Sequence, residues 1–342
     1  MVNNMQEEVK IDDIKYHKRR RRFLFIWFFF LTIFLSTITY AWFSSNRIAD
    51  LQFFDIHVET DGGLEISENA ISWKTELTVD ELKNAYKTYP TSLNQIPGIM
   101  KPMSSGGSVD ANGYLNIFFG LAESNGTNAY YLTTYRKIEE RTTEYSNEGD
   151  FIVFDVFFKT SAPKPLYLSK ESYVRPNEEE SRGIENSARI AFIYEGNVPT
   201  ETDLSTVQRL KSASENNVYM WEPNYDVHTS HGVSNARSIY GIETTETNAS
   251  ILPYDGVVGT VTNSARVDIR NASANNYPNL FKRVNVDIYT RSAYNQNNYL
   301  FDLQPGITKL RIYMWLEGQD VDSENKASQG DISYKIQFTL NP

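Results

Sequence analysis

The sequence predicts an all-β fold: an antiparallel β-sandwich of jelly-roll type with few short helices, preceded by one N-terminal transmembrane helix. Three observations carry this expectation. Apolar and polar residues alternate at period two along several stretches of the chain. Aromatic residues make up 13% of the 342 residues, with 22 Tyr and 19 Phe, and such side chains suit pleated, half-buried surfaces. Residues 23–43 run without a single charge. As a helix rising about 1.5 Å per residue, that run spans roughly 31 Å, the hydrocarbon thickness of a bilayer.

Residues 1–22 are polar and end in a basic cluster, Lys18-Arg19-Arg20-Arg21-Arg22, whereas only Arg47 follows the apolar run closely. The positive-inside rule therefore places 1–22 in the cytoplasm, 23–43 in the membrane and 48–342 outside. Two readings of the run stay open. It is a retained signal-anchor, as its length favours, or a signal peptide cleaved near Thr39-Tyr40-Ala41. The chain holds 33 basic and 43 acidic residues. Seven and four of these precede residue 23, so the rest carries a net charge of −13. An acidic exported part excludes the basic face of a nucleic-acid binder. The absence of cysteine excludes disulfides, thiolate zinc sites and thiol nucleophiles.

Beyond the membrane run, residues 50–59 read as the first strand. Further strands follow at 114–119, 129–137, 166–168, 188–194, 218–221, 257–261 and 284–288. Residues 151–160 are apolar on both faces except at Asp155 and Lys159, the pattern of a central strand. Along 310–317, Leu310, Ile312, Met314 and Leu316 alternate with Arg311, Tyr313, Trp315 and Glu317. Along 332–340, Ile332, Tyr334, Ile336, Phe338 and Leu340 alternate with polar residues. Each of these two reads as a strand with one buried face. Thr78-Val79-Asp80-Glu81 is a capping box that predicts a short helix over 79–87, and Asp203 caps a second through Leu204, Val207 and Leu210. Ser104-Ser105-Gly106-Gly107-Ser108 reads as a flexible loop. Residues 222–278 form a long polar stretch, either a decorated face or a join between sub-parts 48–221 and 257–342.

Chemistry-bearing patterns are few. His228 and His231 stand three apart in a polar segment without an HExxH motif, which reads as a solvated loop pair. Asp320, Asp322 and Glu324 occupy alternate positions of an acidic turn, with Asp331 beyond them. These carboxylates are candidate ligands of a structural calcium ion, although Asn325 stands where an EF-hand loop needs glycine. Without calcium the same turn reads as a solvated hairpin tip, and no other cofactor is expected. No GxSxG, Walker or dinucleotide-binding pattern is present, and no residue stands out as catalytic. Trp221 and Trp315 could stack on sugars if exposed, but as strand residues they read first as packing.

Two stretches carry a family resemblance. Thr39-Tyr40-Ala41-Trp42-Phe43-Ser44, leading into the strand at 51–58, resembles the N-termini of TasA/camelysin-like exported proteins of low-GC Gram-positive bacteria. The segment at 310–322 is similar to a C-terminal strand and turn of surface proteins with that kind of N-terminus. The resemblance covers about a tenth of the chain. It implies a jelly-roll sandwich on the cell surface and, in fibre-forming members, insertion of a freed N-terminal strand into the next subunit. The 22 residues before the apolar run depart from that pattern, and no protease motif is carried across.

The sequence therefore predicts a non-enzymatic surface protein, anchored in the membrane by its N-terminal helix, with a structural or adhesive role. Its partners would be other copies of itself or other surface proteins. Two alternatives remain: a cleaved, fibre-forming biofilm-matrix subunit assembling by strand exchange, and a carbohydrate-binding or carbohydrate-cleaving ectodomain.

Overall fold

A long strand near the C-terminus, Gly306–Glu317, organises the protein. In the computed structural model, residues 49–50, 64–124, 130–139, 149–176, 183–237, 255–289, 298–323 and 332–341 are described. The expected cytoplasmic segment 1–22, the apolar run 23–43 and most of the first strand expected at 50–59 lie outside them. No helix among the described residues is long and apolar enough to cross a membrane.

The described chain is mostly β-strand with few short helices, arranged in several sheets. The largest has ten strands. In chain order these are β1 (Glu65–Ser67), β2 (Pro102–Val109), β3 (Leu115–Ser124), β4 (Tyr130–Lys137), β5 (Ile152–Thr160), β6 (Ala188–Val198), β7 (Val218–Glu222), β8 (Val267–Asp268), β9 (Ile288–Tyr289) and β10 (Gly306–Glu317). Their order across the sheet is β8-β4-β3-β2-β10-β6-β7-β9, with β5 also on β10 and β1 on β5. Along one edge β10 pairs antiparallel with β6 from Ile307 to Leu316. Along the other edge it pairs with β5 as far as Met314, and then parallel with β2 at Leu316 and Glu317. The sheet thus forks at the end of β10. Most other pairings are antiparallel, the second parallel one being β7 with β9.

Both faces of β10 are buried along its whole length, not one as the alternation predicted. The even-numbered side joins the apolar core. A three-stranded sheet of Tyr299–Leu303, Lys164–Leu168 and Phe338–Thr339 packs there. Phe338 meets Phe158 of β5 at 5.1 Å and Phe192 of β6 at 5.8 Å, and Phe301 meets Tyr194 at 4.9 Å between ring centroids. Such offset and edge-on ring pairs contribute beyond their buried area. The odd-numbered side carries Lys309, Arg311, Tyr313, Trp315 and Glu317 into polar surroundings that are buried as well.

The helix signals hold. Helix α1 (Val79–Asn84) starts at Thr78 with both arms of its capping box formed, and runs into a 3-10 turn over Ala85–Lys87. Helix α2 (Leu204–Gln208) begins where the Asp203 side chain accepts from the Thr206 amide.

Other expectations fail: the strand expected at 257–261 ends at Val257, the one expected at 284–288 forms only as Ile288–Tyr289, and two more fail for tertiary reasons. Ser104 to Ser108 is part of strand β2, with Ser104 and Ser105 fully buried. The glycines there serve close approach: a Cβ on Gly106 would stand 2.2 Å from the Val258 side chain. The stretch 332–340 is two strands on different sheets, Ile332–Lys335 against Tyr173–Pro176 and Phe338–Thr339 against Lys164–Leu168. Between them Gln337 leaves the ladder: its amide donates to Ser172 Oγ and its carbonyl accepts from the Ser169 amide.

Candidate functional site

The turn after β10 carries the candidate metal ligands. Far from a solvated hairpin tip, Asp320 and Asp322 are buried, at 6% and 1% exposure. Glu324 lies outside the described residues, as does Asp331. The turn folds on itself: the amide of Asp322 donates to Asp320 Oδ1 at 2.9 Å, and that of Gln319 to Glu317 Oε1 at 3.1 Å. Short acidic side chains that bond backbone amides two residues on are a local reason for this compact shape.

Asp322 is brought to helix α3 (Ser230–Asn235), within the segment that reads as loop. Thr229 caps this helix, its hydroxyl accepting from the Gly232 amide at 3.0 Å. The same hydroxyl donates to Asp322 Oδ1 at 2.7 Å, and the Thr229 amide donates to that oxygen at 2.9 Å. Asp322 Oδ2 lies 3.1 Å from His228 Nδ1. The approach requires glycine at 232, where a Cβ would stand 2.7 Å from both Asp322 Oδ1 and the Val321 carbonyl oxygen.

Asp320 is held from the other side. Arg189, on β6, donates from Nη2 to Asp320 Oδ2 at 2.6 Å and pairs with Glu222 of β7, also at 2.6 Å; its side chain is 1% exposed. Its Nη1 donates to the carbonyls of Asn186 and Ala188. A planar guanidinium with several donors suits such a multiply shared, desolvated position.

Electrostatics follow from burial and neighbours. Burial pushes Glu222 up to about 7, against the opposing pull of Arg189. Burial also raises Asp322. For His228 burial pushes down, but the hydrogen bond to Asp322 and the charge of Asp320 outweigh it, so the imidazole is raised above its ordinary value. Glu317, which accepts from Trp315 Nε1 at 3.1 Å, is pushed by burial to about 7.

His228, Asp320 and Asp322 offer ligand atoms within 4.8 Å of one another. Calcium takes six to eight oxygen ligands. Here one carboxylate oxygen faces a guanidinium at 2.6 Å, another an imidazole, and a third two donors of Thr229. The donor set suits an ion-paired acid–imidazole cluster better than an oxygen cage.

Beside this cluster lies a cavity of about 560 Å³ whose lining includes Tyr173, Asn186, Asn224, His228 and Thr229. Asn224 frames it, donating from Nδ2 to the carbonyls of Val174 and Glu185 at 3.0 Å each. His228 Nε2 and Asn186 Oδ1, in two of the lining residues, are buried without a hydrogen-bond partner. His228 is 5% exposed, so the solvated-loop reading is corrected for it; His231, by contrast, is exposed. Trp221 and Trp315 are both fully buried and offer no surface for stacking on a sugar. Sequence reasoning missed Arg189, Asn186 and Glu222. One signal was present: Arg189 interrupts the otherwise apolar run 188–194, as Asp155 interrupts the run 151–158, and a lone charge in a buried run needs a buried partner.

A second buried network sits further back on β10. Asp155 of β5 stands directly opposite Arg311 in register and accepts from its Nη1 at 2.7 Å. Lys309 Nζ lies 3.2 Å from Asp155 Oδ2, and Tyr89 donates to that oxygen at 2.8 Å. Burial would raise Asp155, but Arg311 and Lys309 overcome it and hold the carboxyl at about 2. Arg311 also donates to the Tyr313 hydroxyl, which donates to Glu139.

Comparison of the chain with known protein families, with curated proteins and with solved structures finds no match in any of the three.

Proposed function

We propose that the chain is a membrane-anchored surface protein with a structural or adhesive role and no catalysis: residues 1–22 in the cytoplasm, 23–43 across the membrane, and 48–342 outside as a β-rich ectodomain. The observation that carries this reading is the uncharged run at 23–43 directly behind Arg19 to Arg22. The ring contacts that link the ten-stranded and three-stranded sheets support a sandwich of jelly-roll type for the ectodomain. The acid–imidazole cluster would then stiffen the end of β10 without calcium.

The likeness of residues 39–44 to TasA/camelysin-like N-termini favours a second reading, a cleaved fibre subunit. The strand Ala49–Asp50, which pairs with Ile99–Met100 away from the ten-stranded sheet, is the segment that cleavage would leave near the new N-terminus.

The test is the N-terminal mass of the protein in membrane and medium fractions of its host. An intact chain confined to membranes is the expected result and ends the fibre reading. A medium species beginning near Trp42 reverses the order of the two.

A further inference from the structure

We infer that the cavity beside His228 is a binding site for a neutral, hydroxyl-rich small molecule, a mono- or disaccharide in chemical class. The inference names a ligand for the adhesive role proposed above, but it stands on the cavity alone and holds whether or not the chain is anchored.

The first support is size. About 560 Å³ lies inside the roughly 300–1,000 Å³ typical of small-molecule sites. The second is a pair of unmet needs. Buried polar atoms are nearly always hydrogen-bonded, because an unpaired one has given up water with nothing in return. His228 Nε2 and Asn186 Oδ1 are both buried and unpartnered, in residues that line the same cavity. The His228 side chain is 2% exposed, and Asp322 at Nδ1 fixes the ring's orientation.

The chemistry of these two atoms selects the ligand. An amide oxygen only accepts, so it needs a donor. Imidazole Nε2 accepts when the ring is neutral and donates when it is charged. Hydroxyl groups, one at each atom, satisfy them in either protonation state of the ring, because each can donate or accept; a carboxylate or an ammonium suits only one arrangement. The charged side chains of the lining argue against an ionic ligand: Lys170 and Arg175 are balanced by Glu171 and Glu185. The aromatic ring of the lining, Tyr173, is already covered by Arg175 at 4.2 Å. Hydrogen bonding to hydroxyls, not stacking, is therefore the mode of recognition.

Calorimetric titration of the detergent-solubilised full chain with glucose, galactose, N-acetylglucosamine and lactose tests the idea, with glucuronate and alanine as charged probes. The expected result is one-to-one binding of at least one neutral sugar. Asn186→Leu, which removes the unpaired acceptor and leaves the melting temperature at or above that of the parent, should weaken it about tenfold, the effect of one lost buried hydrogen bond. His228→Gln should weaken it as well. No binding by any neutral sugar, binding by the charged probes alone, or binding undiminished in both variants would overturn the inference. None of these outcomes bears on the N-terminal mass that tests the anchor.

Discussion

At the middle of β10, Asp155 accepts from Arg311, Lys309 and Tyr89, and Arg311 is its direct partner in the ladder. At the end of β10, Asp320 and Asp322 are gathered by Arg189 from one segment and by His228 and Thr229 from another. The first cluster has two cations on one carboxylate, and it pulls that carboxyl down to about 2. The second is rich in acid. Burial lifts its Glu222 to about 7, and unpartnered atoms are left at a cavity. The contrast separates a clamp from a site. Where strand register supplies the ion pair, both Asp155 oxygens are partnered, although Glu195 Oε1 beside the cluster is not; where a turn and a capped helix supply it, His228 Nε2 and Asn186 Oδ1 are left unpartnered.

The largest expected effect tests the clamp. Asp155→Ala removes the carboxylate that faces both Arg311 and Lys309 and leaves these buried cations, among the described residues, with only Glu139 at 3.8 Å from Arg311, which costs about 3–5 kcal/mol. Denaturant unfolding of the variant should show it, and a loss no greater than that of Asp322→Ala would erase the distinction between the two clusters. Asp322→Ala removes the acceptor of Thr229 and the partner of His228, for about 1–3 kcal/mol. Gly232→Ala should follow closely, about 1–3 kcal/mol, because the added Cβ meets a backbone oxygen at 2.7 Å that cannot move freely. A Gly232→Ala protein as stable as its parent would mean that helix α3 does not sit against Asp322 in solution.

Acid should stabilise the protein. Glu195, Glu222 and Glu317 are raised by burial from an ordinary 4.5 to about 7. Their contribution is therefore fully present below pH 4.5 and is lost as pH rises through about 7. His228, raised above 6.5, acts in the same direction: its contribution is complete below that pH and lost above it. Asp155 opposes this only at low pH, since a carboxyl held at about 2 loses its contribution as pH falls below its ordinary 3.8. Melting temperature should thus peak at about pH 5 and fall by several degrees toward pH 8. A profile rising across that interval would contradict the burial of these glutamates. The smallest effect is the most direct on calcium: EDTA should leave the melting temperature unchanged. A drop that added calcium restores would return Asp320 and Asp322 to the role of ligands.

Much of the scaffold was legible from local pattern. The capping box at Thr78 and Glu81 and the cap at Asp203 formed as their spacing required, since a cap is satisfied within four residues. Period two located β10, because alternation follows from the pleat itself, and apolar and aromatic runs located β3, β4, β6 and β7; the alternation at 284–288 yields strand only at Ile288. Alternation could not say what lay on the polar side of β10. Arg311 and Glu317 look like solvent-facing residues until Asp155, Trp315 and the turn after them are in place.

The candidate site shows the same boundary. The sequence by itself marked Asp320 and Asp322 as a clustered pair of carboxylates, and set the uncharged run at 23–43 behind its basic flank. Only the tertiary structure decided what those carboxylates meet. Arg189 stands 131 residues before Asp320, and His228 stands 94 before Asp322. Such distant partners leave no trace in local periodicity, because nothing but chain topology brings them together. The same holds for Ser104 to Ser108, flexible by composition yet buried as strand. Glycine and serine there admit the close approach of a neighbouring strand, and a propensity scale does not see neighbours.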